Sequence, residues 1–311
     1  MASGTDPRCG ILKEIRLMNK KNREWNILLA RSKGEKILFA VVFGIFVLYS
    51  FTLIFPVLWM IMSSFKGALE YSGGYAFDLP KVWLVDNYSK AFKMLNVGKT
   101  NFFGMIFNSL WYTAIVTSLG VLMPGITGYV MSKYNFKIKN FIFAVAISSM
   151  VIPIVGNTAS YMKVIAFFKL YDSPLYTVVT SLGGFGGSFL VYYGFFKSVS
   201  SAYMEAAKID GANPFVIFFK VMLPQGLPIM LTYAITGAIG NWNEYNTMIL
   251  YLPSYPTLAS GLFEYQSNAV RSVNYPVYFA GLLISMIPTI VLFATFSDKI
   301  MTSISIGGLK G

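Results

Sequence analysis

Two short patterns in this chain have the residue types and spacing for chemistry. Ser63-Ser64-Phe65-Lys66 matches SxxK, the spacing at which a lysine activates a serine for acyl transfer. It stands at the end of an apolar run without the companion motifs of such enzymes, so it is read as coincidence. The other is Asn241-Trp242-Asn243-Glu244-Tyr245, a carboxylate and two amides between aromatic rings inside an apolar run. Such groups suit a polyhydroxylated ligand, since amides and a carboxylate bond hydroxyls and aromatic faces cover the apolar side of a ring. They equally suit a hydrogen-bond network between helices, and both readings stay open. The sequence has no histidine, which removes His-dependent triads and His-bearing metal sites. It has no GxxxxGK[ST], so it cannot hold ATP in a P-loop. The remaining carboxylates are scattered. The chain is therefore expected to be no catalyst, with no metal and no cofactor, and any energy it uses must come from a partner.

The elements around these patterns are apolar helices. The composition is 55% hydrophobic and 12% charged, with mean hydropathy +0.59, the balance of a polytopic membrane protein. A helix needs about 20 apolar residues to cross the hydrocarbon core. No charge occurs between Lys36 and Lys66, Lys99 and Lys133, Lys139 and Lys163, Asp172 and Lys197, or Arg271 and Asp298, and only Glu244 falls between Lys220 and Glu264. These runs predict an all-α protein with six spans near 37–63, 104–132, 140–163, 174–196, 226–250 and 276–298. Strict alternation is missing from them, which argues against a β-barrel. The domain plan is a basic tail 1–36, a transmembrane domain 37–300 and a terminal tail 301–311.

Basic residues set the orientation. With the N-terminus inside, the inner segments carry 17 of the 25 Lys and Arg, and both termini are cytoplasmic. This bias accounts for most of the +12 formal charge without nucleic acid, and the tail from Arg8 to Lys36 can lie on anionic head groups. The first apolar run is too long for a cleavable signal peptide. The single Cys9 permits no intrachain disulfide. Pro56, Pro124, Pro153 and Pro288 are expected to kink helices, and Gly183, Gly184, Gly186 and Gly187, which include the GxxxG pair Gly183 and Gly187, either let helices approach closely or mark a broken helix.

Residues 201–230 read SAYMEAAKIDGANPFVIFFKVMLPQGLPIM. The stretch from Ala202 is rich in helix formers and stops at Gly211, a natural left-handed terminus. Asn213 fits an N-cap with Pro214 at the first helical position, and Pro224 is expected to end the second helix. Two short helices joined by an elbow result, within an inner loop 198–225.

In this loop Glu205, Ala206, Ala207, Asp210, Gly211, Ala212, Pro214, Leu223 and Pro224 resemble the EAA signature of ABC importer permeases. The resemblance extends to Asn108-Ser109-Leu110, Gly128-Tyr129, Ser132-Lys133-Tyr134, Met150-Val151-Ile152-Pro153, Tyr193-Gly194-Phe195-Phe196, Trp242-Asn243-Glu244-Tyr245 and the ending Gly307-Gly308-Leu309-Lys310-Gly311. Order and spacing are similar to the shorter, second permease of a maltose-type or multiple-sugar importer. Ser200, Ser201, Val221 and residues 303–306 depart from that pattern and weaken only the subfamily placement. The resemblance implies a type I ABC importer permease fold in a prokaryotic cytoplasmic membrane. It implies a second, homologous permease, two ATPase subunits gripping the EAA coupling loop, an extracytoplasmic solute-binding protein and a sugar moved by alternating access. The sequon Asn87-Tyr88-Ser89 is then chance, because the family is chiefly prokaryotic. Asn241, Trp242, Asn243, Glu244 and Tyr245 become candidates for the pathway. In the outer loop 252–275, Tyr255, Phe263, Glu264, Tyr265 and Gln266, with Arg271, become candidates for touching the binding protein. Other solutes, such as glycerol phosphate or a peptide, remain as alternatives, and a secondary transporter would need an internal repeat and paired intramembrane charges.

Overall fold

A computed structural model of the chain describes residues 33–73, 77–152, 155–268 and 274–308. Most of the basic tail, with Cys9, and also Pro153, Arg271 and residues 309–311, lie outside the described residues. The described residues are helical, with one isolated bridge between Val97 and Thr100. Two compact units divide at Met60, and the first helix, α1 (Lys33–Ser64), runs across that division.

In the second unit the long helices are α4 (Phe102–Lys133), α10 (Pro214–Trp242) and α13 (Tyr275–Gly308). Shorter helices fill the intervals: α2 (Ala68–Ser72), α3 (Asp86–Met94), α5 (Lys139–Val151), α6 (Thr158–Phe167), α7 (Leu175–Ser181), α8 (Gly187–Ser198), α9 (Ala202–Ile209), α11 (Asn246–Tyr251) and α12 (Leu258–Asn268). Local chemistry starts and stops them. Asn101 caps α4 by accepting the Gly104 N–H at 2.8 Å. Pro56, Pro124 and Pro288 lie inside unbroken helices.

Among the described residues four helices are long and apolar enough to cross a membrane: Gly34–Ser64, Phe102–Lys133, Pro214–Trp242 and Tyr275–Ser297. The expected third and fourth spans are interrupted instead. Residues 140–163 divide between α5 and α6, near Gly156 at φ 76°. Residues 174–196 divide between α7 and α8 at the glycine cluster. Charge-free runs report hydrophobic length, and glycine breaks the helix without changing that signal.

The core of this unit forms where α4 runs against α8 and α10. Tyr129, Tyr192, Phe196, Met222 and Met230 fill it, joined by Met204 of α9 and by Ile217 and Phe218 near the start of α10. A second cluster gathers Tyr112, Ile165, Leu170, Tyr176, Met248, Tyr251 and Leu252. Asn87, the sequon residue, is buried and donates to the carbonyls of Ser64 and Lys66, each at 2.8 Å.

Candidate functional site

The sequence places three groups of candidates, and the elbow forms as the residues dictate. At the end of α9 the N–H of Gly211 bonds Lys208 O and that of Ala212 bonds Ala207 O, both at 3.0 Å. This pair, with Gly211 at φ 78°, is a Schellman stop, which satisfies carbonyls a helix end leaves free. Asn213 then accepts the Val216 N–H at 2.9 Å and Pro214 opens α10.

The expected end at Pro224 is corrected. The helix continues through Pro224 to Trp242, because a π-helical segment, Ile217–Met222, precedes the proline. Leu223 N–H reaches back five residues to Phe218 O, and this widened turn gives the prolyl ring space. The coupling-loop candidates therefore belong to one short helix and the start of a long one.

The elbow has an exposed side and an anchored side. Glu205, Ala206, Asp210, Gly211, Pro214 and Pro224 are exposed, with Ile209 at 86% and Phe215 at 76%. Ala207, Ala212 and Leu223 turn toward the core, where Met204 is buried under the Tyr129 hydroxyl. Lys133 donates its Nζ to Val199 O, tying the end of α4 to the approach to α9.

The second group does not sit in mid-helix. The helix ends at Trp242, and Glu244 lies in the break before α11, where its Oε1 accepts the Thr247 N–H at 2.9 Å. The expected span 226–250 is thus two helices with a carboxylate capping the second. Asn241 donates to Thr117 Oγ1 at 3.0 Å on α4, and the Trp242 indole donates to Ser285 O at 2.9 Å on α13. Asn243, just past the end of α10, donates to Ile239 O. Tyr245 stacks on Phe263 with centroids 4.7 Å apart, joining the second candidate group to the third.

The third group is folded rather than a loose loop. Leu258 and Leu262 are buried, and Leu258 N–H donates to Ser109 Oγ at 2.8 Å. Met248, Pro253, Pro256, Phe263, Glu264 and Ser267 are among the residues around a cleft of ≈ 360 Å³. Tyr255 meets Trp111 edge-on, Tyr265 stacks on Tyr278, and Gln266 accepts the Tyr278 hydroxyl at 2.9 Å.

Sequence reasoning missed the tie holding this face. Asp172, at φ 54°, accepts Ser254 N–H at 2.9 Å and Ser254 Oγ at 2.6 Å, while its own N–H bonds Tyr251 O. Asp in a left-handed conformation is a local signal, but the partner lies 82 positions away. The two glycine readings divide within the cluster. A Cβ on Gly186 or Gly187 would meet open space, and one on Gly183 only Thr180 O, so these three go with the break between α7 and α8. Close approach falls to Gly184, against Thr127, and to Gly128, against Tyr192 and Tyr193. Near the start of the unit, Glu70 accepts the N–H of Lys81 at 2.8 Å and of Gly67 at 3.3 Å. The Lys81 bond leads the causes that hold its carboxyl below the usual carboxylate value.

Residues 120–302 match the family model described as binding-protein-dependent transport system inner membrane component. The chain is 27% identical over 290 residues to the diacetylchitobiose uptake system permease protein NgcG of Streptomyces coelicolor, covering 90% of this chain and 92% of that protein. It is 28% identical over 275 residues to the arabinooligosaccharides transport system permease protein AraQ of Halalkalibacterium halodurans, covering 86% and 94%. A crystal structure of a bacterial ABC transporter involved in the import of the acidic polysaccharide alginate shares the fold. That likeness has TM-score 0.70 and 20% identity, over 86% of this chain and 98% of the other.

Proposed function

This chain belongs to the family of binding-protein-dependent transport system inner membrane components, and from that premise we propose that it is a transmembrane subunit of an ATP-driven importer of a sugar or oligosaccharide. A second, homologous permease completes the translocation path, two ATPase subunits grip the elbow, and a solute-binding protein delivers the sugar from outside. The chain hydrolyses nothing itself. Both termini and the elbow face the cytoplasm in this reading, on the strength of the basic-residue bias.

The observation that carries the mechanism is the elbow's double character. Its outward residues, from Glu205 to Phe215, offer an uneven exposed ridge, while Met204, Ile217 and Phe218 are buried against α4 and α8. A packed core transmits displacement rather than absorbing it. Movement of the ATPases on ATP binding would therefore move α4, α8 and α10 with the elbow. ATP and loaded binding protein must each favour one of two permease states, since a ligand shifts an equilibrium only by its difference in affinity.

On the outer face, the cleft beside Phe263 and Glu264 is the proposed seat for the binding protein, and Tyr245 connects it through Phe263 to Glu244. Of Asn241 to Tyr245, Asn243 and Glu244 are the residues proposed first for the pathway, since their side-chain bonds are to nearby residues of the same stretch, whereas Asn241 and Trp242 bond neighbouring helices. Purification of the chain with its cellular neighbours tests the reading. Co-purification of an ATPase and sugar-stimulated ATP hydrolysis are expected. Solute uptake without any ATPase partner would overturn it.

A further inference from the structure

A second cavity, ≈ 320 Å³, opens beside the elbow. Ile126 and Val130 of α4 and Tyr134 just beyond its end form one wall, and Pro214, Phe215 and Phe219 from the start of α10 form the other. The lining is apolar and aromatic. Two exposed lysines adjoin it in sequence: Lys137 stands three positions after Tyr134, and Lys220 follows Phe219 directly. Glu205 and Asp210 are the acidic residues of the preceding stretch. An apolar slot flanked in sequence by lysines suits an anionic lipid, with the acyl chain in the slot and the phosphate at the lysines. The chain's own basic tail fits less well, because its Arg and Lys would meet like charge.

We infer that this slot binds one acyl chain of an anionic phospholipid of the inner leaflet, with its phosphate held by Lys137 and Lys220. The inference rests on the orientation proposed above, which puts the end of α4 at the cytoplasmic boundary. The occupant would lie against Phe215 and the π-helical turn, so it would bias the position of the elbow itself.

Phosphatidylglycerol carrying a photoactivatable acyl chain tests this with the full chain in nanodiscs, without ATP or sugar. Labelling is expected on peptides holding Val130–Tyr134 and Phe215–Phe219, and excess phosphatidylglycerol should compete better than phosphatidylcholine. At about 1 kcal/mol per lysine near the surface, the double substitution Lys137→Gln, Lys220→Gln should cut that labelling roughly tenfold or more. Val130→Trp, which fills the slot, should abolish it for either lipid. Labelling spread over all the spans and unchanged in both variants would mean ordinary boundary lipid and overturn the site. Equal competition by phosphatidylcholine would overturn the anionic assignment. A crosslink from Phe215 to another subunit in place of lipid would assign the slot to a protein partner. Because the readout needs no transport, its failure leaves the importer reading standing, and failure of uptake assays leaves the lipid site standing.

Discussion

Gly128 of α4 faces Tyr192 of α8 so closely that a Cβ added to the glycine would lie 2.8 Å from the Tyr192 Cβ and 2.9 Å from the Tyr193 nitrogen. The obstruction is partly backbone, so no rotamer change relieves it. Gly128→Leu is expected to separate the two helices and destabilise the fold by about 1–3 kcal/mol, the usual cost of overpacking. Gly237→Ala makes a control, since its Cβ would meet Thr117 at 3.8 Å, an ordinary contact. Thermal unfolding in detergent should show a lower midpoint for the first variant and little change for the second. Equal midpoints would mean that this approach is not rigid.

Gly211→Val should uncouple the subunit without removing it from the membrane. A β-branched residue resists φ 78°, at a cost of about 1–2 kcal/mol, so the Schellman stop would be lost. Gly211→Asn, better suited to that conformation, should be milder. ATPase co-purification and sugar-stimulated turnover measure the effect, and wild-type values for the valine variant would remove the elbow from the coupling mechanism.

Glu244 caps Thr247 through a side-chain oxygen that glutamine keeps and alanine lacks. Glu244→Ala should lower the yield of assembled protein, with a cost of about 0.5–2 kcal/mol for a lost cap. Glu244→Gln should assemble normally. If the charge also serves the pathway, the glutamine variant will transport less sugar while assembling fully; unimpaired transport would assign this residue to structure alone.

Asp172 and Ser254 should act as one unit. Asp172→Ala removes both bonds to Ser254, so hydrogen exchange is expected to rise in residues 251–257. Asp172→Asn keeps an acceptor for the Ser254 N–H and tolerates φ 54°, and should show less change. Matching exchange in both variants and the parent would show that the tie does not hold this face.

Glu70 gives a pH dependence. Its carboxyl pKa is depressed below the usual 4.5, chiefly through the Lys81 N–H. The stabilising contribution is therefore present above the unfolded value and is lost as pH falls through the folded one. Local order around Gly67 and Lys81 should be constant near neutrality and fall only under distinctly acidic conditions. Glu70→Gln should weaken that order at neutral pH, measured by exchange of the two amides.

The sequence by itself determined the class, the family resemblance and the elbow. Apolar length, basic bias and the run from Glu205 to Pro214 are local properties, and Gly211, Asn213 and Pro214 impose their geometry through their own backbone chemistry. Tertiary structure decided what depends on distant partners or on the course of the backbone. Pro224 looked like a terminator, but the π turn before it carries the helix onward. Glu244 looked like a mid-helix charge, but the backbone breaks there and turns it into a cap. Gly183 and Gly187 had the spacing of a packing motif, while the helices actually approach at Gly128 and Gly184. The difference is physical. A residue's propensity is written in its own side chain, whereas a close contact or a capped break depends on atoms that folding brings from elsewhere, as Ser254 is brought to Asp172.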